Sequence, residues 1–323
     1  MNVRNRLLAG LIAVASAFAV PVHAAYPDHP VTILVPWGAG GPADTLARLI
    51  GSLLERELNQ TFVVVNRAGG SGVVGHAAMK ESRPDGYTLG LATVEITMLH
   101  WAGLGDFNQN DFTTLAIVNS DAAAVMVNAD SPYKTAKELI LDIKAKPAGT
   151  FKASGSGQGG IYHLALAGWL IDEGVDPNKV QWIPSQGGAP AMKDLLAHGT
   201  DFVTASLPEG QALIDAGRVR GLANMDVKRL ALYPNVPTLK EATGSNWTTL
   251  TWRALVGPKG MPKEATERLV TALRKVTQTK EYKDFMEQRG YGIAWIEGQD
   301  AVVFENKADA EFGRIMKATG LAK

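Results

Sequence analysis

Between Lys152 and Leu170 the chain reads KASGSGQGGIYHLALAGWL, and Gly155, Gly157 and Gly160 satisfy the G-x-G-x-x-G spacing that cradles a pyrophosphate in dinucleotide-binding proteins. That chemistry also needs a carboxylate at the end of the following strand to hold the ribose hydroxyls. The next strand-like run, Val180–Pro184, ends in Ser185 and Gln186, and the acids Asp172, Glu173 and Asp176 all precede it. A nicotinamide site is therefore disfavoured. No glycine loop ends in Gly-Lys-Ser/Thr, so a Walker-type phosphate loop is absent as well. Ser154 and Ser156 with His163 suggest a nucleophile and a base, the basis of an alternative reading as an exported α/β hydrolase. Neither serine has the G-x-S-x-G spacing, and no third triad member is indicated. His29, His76, His100, His163 and His198 are scattered without ligand spacing, so no metal is assigned.

What remains is a simpler chemistry. "WGAGGPAD" (Trp37–Asp44) and "SGSGQGG" (Ser154–Gly160) each fall where a strand hands over to a helix. The first amides of a helix lack intrahelical acceptors, and the helix dipole adds about half a positive charge there, so an anion is attracted without a cationic side chain. Glycine admits close approach to those amides because it has no Cβ. The run "NRAGGSG" (Asn66–Gly72) also joins a strand to a helix, but a tight reversal explains its glycines, and it is left out of the site.

The elements that carry these loops follow from periodicity. Val31–Val35 is a β-branched run stopped by Pro36, Asp44–Leu58 has amphipathic helical spacing, Phe62–Val65 is a strand, Gly72–Ser82 a helix and Tyr87–Ala92 a strand. This βαβαβ order implies parallel pairing with helices on the faces. Leu115–Val118 and Ala123–Val127 read as two strands, and Thr135 caps a helix to about Lys144. A second series follows: strand Thr150–Ala153, helix Ile161–Asp172, strand Val180–Pro184, helix Ala189–Ala197, strand Asp201–Ala205, helix Glu209–Ala216 and strand Val219–Asn224. Strand Leu250–Val256 and helices Lys263–Thr277, Glu281–Arg289 and from about Asp300 complete the chain. The expected arrangement is two α/β units, the second inserted into the first: residues 25–124 with 225–323, and residues 125–224.

Residues 1–24 have the form of a secretory signal peptide, with Arg4 and Arg6, an uncharged stretch Leu7–Val20 and a small-residue site before Ala25. Asn5 separates the arginines, so the twin-arginine pattern is missing. A periplasmic location is expected. There is no cysteine, hence no disulfide, thiolate metal site or lipid-attachment cysteine. The 32 basic and 32 acidic residues balance, and loss of Arg4 and Arg6 with the leader leaves a slight acidic excess, which gives no reason to expect nucleic acid as partner. No second apolar run approaches the length of a membrane span.

The segments "YPDHPVTILVPWGAGGPADTLARLI", "VNRAGGSGVVGHAAMKESRPDGYTLGLAT", "ASGSGQGGIYHLALAGWL", "GGAPAMKDLLAHGTDF", "GRVRGLANMDVKRLALYPNVPTLKEATG" and "WRALVGPKGMPKEATERL" together resemble the tripartite tricarboxylate transporter solute receptors, also called the Bug family, in that family's order. The resemblance implies a two-lobed α/β periplasmic binding protein (type II, Venus flytrap), with parallel or mixed sheets flanked by helices. It also implies a non-enzymatic, monomeric receptor without cofactor that holds a small mono-, di- or tricarboxylate between its lobes for a membrane permease or a sensor kinase. Carried over by position, the ligand-binding residues are Trp37, Gly38, Ala39, Gly40, Gly41 and Asp44 from the first loop. Ser154, Gly155, Ser156, Gly157, Gly159 and His163 follow from the second, with Gly187, Gly188 and Ala189 before the next helix, and Thr93 and Asp201. Several have a plainer account: Trp37 as core, Asp44 as a first-turn acid, His163 in a local hydrogen bond, Asp201 as structural. Arg253 is read as one half of a salt bridge rather than a carboxylate clamp.

Overall fold

Val31–Val35 forms β1, and Pro36 ends it by withholding an N–H. The chain then turns through exposed glycines into helix α1 (Pro42–Leu58), where Pro42 suits the first helical turn and Asn59 closes the last turn in the left-handed region. Leu46, Ile50 and Leu54, four residues apart, are fully buried. Burial of each is worth about 1.5–3 kcal/mol, so this stripe sets the helix on the sheet. The computed structural model describes residues 26–323. The expected leader lies outside the described residues.

The first unit continues through β2 (Phe62–Asn66), α2 (Val73–Lys80) and β3 (Thr88–Thr93). Strand β1 pairs parallel with both β2 and β3, as the βαβαβ order implies. Next comes β4, one continuous strand from Phe112 to Asn128, where two strands were expected. The polar run Asn119-Ser120-Asp121 reads as a break, yet Asn119 and Asp121 are buried and paired, so the strand passes through. A turn of Ala129–Lys134 leads to α3 (Ala136–Ala145), capped by a Thr135–Glu138 capping box.

The second unit repeats the first as β5 (Lys152–Ser154), α4 (Ile161–Asp172), β6 (Gln181–Ile183), α5 (Gly188–Leu196) and β7 (Phe202–Ser206), with β5 parallel to both β6 and β7. The helix expected from Glu209 begins as a tight turn at Leu207–Gly210 and continues as the short α6 (Gln211–Asp215). Then follow β8 (Val219–Asn224), α7 (Leu239–Thr243), β9 (Leu250–Pro258), α8 (Lys263–Thr277), α9 (Lys280–Gln288), β10 (Ile293–Glu297) and α10 (Gly298–Thr319). Strand β10 has no counterpart in the sequence reading. Its five residues lie between two helices and are only partly buried, so they carry little apolar signal.

The strands run β2-β1-β3-β9-β4-β7-β5-β6, with β8 and β10 also on β4. Pairing is parallel inside each unit and antiparallel along β9 and β4, which gives a mixed sheet. The first part of β4, Phe112–Ala122, pairs with β9, and its last part, Ala123–Asn128, pairs with β7 and β8. The change of partners falls between Ala122 and Ala123. Helix α4 is buried on nearly every side, with Gly168 so close to Trp247 that an added Cβ would lie 2.2 Å from its ring, and the Trp247 Nε1 donates to Ala165 O at 3.0 Å. Helix α10 packs on both β4 and α4, tying the units together.

Candidate functional site

The carboxyl ends of β1, β3, β5, β6 and β7 all face one cleft of about 580 Å³. This is the position where open α/β sheets offer helix starts to a ligand. One wall is Trp37–Ala43 with Thr93 and Glu95, and the other is Ser156, Ile161, Tyr162, Gln186–Pro190, Pro208 and Glu209. Thr251, Arg253, Arg289 and Tyr291 complete the lining.

Of the residues singled out from sequence, Trp37, Gly38, Ala39, Gly40, Gly41, Thr93, Ser156, Gly187, Gly188 and Ala189 line this cleft. An added Cβ at Gly38, Gly40 or Gly187 would meet nothing within 4 Å, so these turns are open to an approaching group. Asp44 lies behind the first turn. Its carboxylate accepts from Gly40 N–H at 2.8 Å, Arg48 Nε at 3.1 Å and Asn66 Nδ2 at 2.9 Å, and so holds the loop shape. Burial raises the Asp44 carboxyl, but the bonds from Arg48, Gly40 and Asn66 together outweigh it and hold the group below its ordinary range.

The remaining sequence candidates stand outside the lining. Ser154 is buried, its hydroxyl donating to Ile183 O at 2.7 Å. Gly155 is needed for packing, since a Cβ there would lie 2.1 Å from Thr204 O. Gly157 adjoins Ser71 of the first unit, and Gly159 adjoins Met316 and Ala102. His163 Nδ1 accepts from Gly159 N–H at 3.1 Å, and its ring stacks on Trp182 with centroids 4.6 Å apart. Burial lowers its pKa to about 4, so it is neutral. Asp201 accepts from Lys152 N–H at 2.7 Å. Among the described residues no hydrogen bond joins His163 to Ser154 or Ser156. The glycine run that looks like a nucleotide loop serves mainly to bring β5, α4 and β7 into contact.

The sequence reading did not anticipate the charged floor. Arg253, on β9, lies 5% exposed at the bottom of the cleft. Its Nη1 donates to Asp121 Oδ2 at 2.7 Å and to Asn119 Oδ1, which is the expected salt bridge, while its buried Nε has no acceptor among the described residues. Asp121 Oδ1 in turn accepts from Gly292 N–H at 2.7 Å, and Asn119 Nδ2 donates to Gly292 O at 2.8 Å. Two acids flank this group. Glu95 Oε2 accepts from Thr93 Oγ1 at 2.5 Å, and Thr93 also accepts from Trp37 Nε1 at 3.2 Å and donates its N–H to His76 Nε2 at 3.2 Å. Glu209 Oε1 accepts from Tyr162 Oη at 2.5 Å. Burial raises both carboxyls above the usual range, against the favourable charge of Arg253. The available signal was an arginine inside an apolar strand, since a buried charge requires a buried partner and "NSD" is the polar run in the longest strand.

Two parallel βαβαβ units around one cleft, joined by long shared strands, define a solute-binding protein of the periplasmic binding class. A TctC solute-binding protein from Polaromonas superposes with TM-score 0.73 at 31% identity, over 90% of this chain and 99% of that one. The R. palustris protein Rpa4515, solved with adipate, gives TM-score 0.83 at 26% identity over 92% and 99%. BugT of Bordetella pertussis is 29% identical over 85% of this chain and 86% of its own length. The tripartite tricarboxylate transporter family receptor model matches residues 46–321, and the chain belongs to that family. Among the described residues no helix is long and apolar enough to cross a membrane.

Proposed function

We propose that this receptor is exported by its leader and captures a small organic acid in the cleft, presenting it to a membrane permease or a sensor. The observation that carries the reading is the pair of open turns on opposite walls, Gly38–Gly41 before α1 and Gly187–Ala189 before α5. Each offers first-turn amides and the positive end of a helix dipole to an anion. The adipate held by Rpa4515 supports the same ligand class. In this reading Gly38, Ala39, Gly41, Ser156, Gly187, Gly188 and Ala189 meet the ligand. Asp44, Ser154, Gly155, Gly157, Gly159, His163 and Asp201 shape the loops behind them. No residue is assigned a catalytic role: Ser154 Oγ and His163 Nδ1 are both bonded to the backbone.

The test is calorimetric titration and thermal unfolding of the mature protein against a panel of mono-, di- and tricarboxylates and amino acids, with the ligand recovered afterwards. An organic acid that stabilises the protein and returns unchanged supports the reading. Stabilisation only by neutral sugars or simple cations sinks it, and conversion of the ligand would favour a hydrolase.

A further inference from the structure

We propose that the organic acid carries a protonated amine, and that Glu95 and Glu209 hold that amine from the two walls of the cleft; this rests on the receptor reading above. The two acids occupy equivalent places in the two units. Glu95 sits in the tight turn that follows β3, and Glu209 in the tight turn that follows β7. Both line the cleft.

Each acid spends one oxygen inside the protein and leaves the other for the cleft. Glu95 is 5% exposed, and its Oε2 takes the Thr93 hydroxyl, while its Oε1 accepts no bond from another described residue. Glu209 Oε1 takes the Tyr162 phenol, and its Oε2, which lies against Gly188, likewise accepts none. Neither oxygen has a donor among the described residues, and both acids line the cleft, so a ligand can supply one.

Arg253 does not fill that need. It sits close enough to ease the charge on both acids, yet its Nη1 is bound to Asp121 and Asn119, and its charge is already matched by Asp121 at 2.7 Å. Counted together, the enclosed floor has Glu95, Glu209 and Asp121 against Arg253. Arg289 is exposed at the rim. An ammonium brings N–H donors for the two vacant oxygens and a positive charge that favours the ionised form of both acids against the burial that raises them, whereas a plain dicarboxylate brings neither. The carboxylate end of the same molecule then has the amides of Gly38–Gly41.

The experiment compares compounds matched in length: glutarate, glutamate and 4-aminobutyrate, then adipate against 6-aminohexanoate, each titrated calorimetrically into the mature protein and into its E95Q and E209Q variants. The amine-bearing member of a set should bind at least about tenfold tighter than its diacid, a factor worth about 1.4 kcal/mol. Each Gln variant should lose most of that preference and bind the diacids more tightly than the parent does. Circular dichroism and thermal unfolding check the variants, and if E95Q fails to fold, E209Q carries the comparison. Equal or tighter binding of the diacids by the parent protein overturns the amine assignment and leaves the organic-acid receptor standing. So does a preference for amines that survives both substitutions. Absence of binding by every acid in the sets and in the wider panel overturns the receptor reading, and this inference with it.

Discussion

The two βαβαβ units share strand order and helix placement, yet they open different turns to the cleft. In the first unit the turn between β1 and α1 is open, and the entry into α2 is closed by packing: a Cβ at Gly75, in the first turn of that helix, would lie 2.4 Å from Pro36 Cα. The second unit reverses this. Its first turn is packed at Gly155 against Thr204 and reaches the cleft only through Ser156, and its second turn, Gly187–Ala189, faces the cleft. Glycine-rich turns at equivalent places thus serve two ends, access for a ligand in one and contact between elements in the other. The cleft receives one open turn from each unit, so a ligand is met from both sides although neither unit offers two.

The sharpest way to break this contrast is Gly155→Ala. The added carbon would sit 2.1 Å from Thr204 O and 2.7 Å from Tyr162 Cβ, and neither backbone nor helix can yield cheaply. A loss of about 3 kcal/mol or more is expected, read from urea unfolding. A loss below about 1 kcal/mol would mean that this loop is mobile rather than packed.

Next in size is a pH effect where α10 packs on the start of β4. Glu305 is buried, and its pKa is raised by that burial to about 7 from 4.5, against a hydrogen bond from Thr114. The folded protein therefore holds this proton above pH 4.5, where the unfolded chain releases it. Stability declines as pH rises from about 4.5 to about 7, by on the order of 3 kcal/mol, and stays reduced above. Glu305→Gln should flatten that part of the pH–stability curve. If both proteins decline in parallel, the slope comes from other acids such as Glu95 and Glu209, which shift in the same direction.

What could be read from sequence follows the same division. The helices with clear periodicity or caps, α1, α3, α4 and α8, fall within a residue or two of expectation, because apolar spacing and capping are local properties. Glycine itself was legible, but its purpose was not, because the atom that Gly155 must avoid belongs to Thr204 on another strand. The floor of the cleft was hidden for a like reason. Asn119 and Asp121 looked like a break in a strand because polar residues usually mark turns. Their partner Arg253 comes from β9, more than a hundred residues away, and Glu95 and Glu209 become neighbours only when the two units face each other.

Asp44 and Asp201 allow a milder comparison. Both accept backbone N–H groups near a strand–helix or strand end, but Asp44 is 2% exposed and also binds Arg48 and Asn66, while Asp201 is exposed. Asp44→Ala should cost about 2 kcal/mol and weaken acid binding, since Gly40 N–H and Asn66 lose their acceptor. Asp201→Ala should cost about 0.5–1 kcal/mol and leave binding unchanged. Equal losses in the two variants would remove the distinction between a loop-shaping acid and a peripheral one.

The smallest effect on stability is expected at Gly38, and it is the most informative for the open turn. Gly38 is exposed, its backbone is outside the left-handed region, and a Cβ there would meet nothing within 4 Å. Gly38→Ala should leave stability within about 0.5 kcal/mol of the parent. Its neighbour Gly40 has φ +83°, so Gly40→Ala should cost about 1 kcal/mol through the backbone alone. If the amides of this turn receive the carboxylate, the methyl group at position 38 stands in the space the ligand must enter. Affinity should then fall at least about tenfold while the unfolding midpoint stays put. Unchanged affinity in a stable Gly38→Ala protein would move the anion to the opposite wall, at Gly187–Ala189, and leave the first turn open without a ligand to explain it.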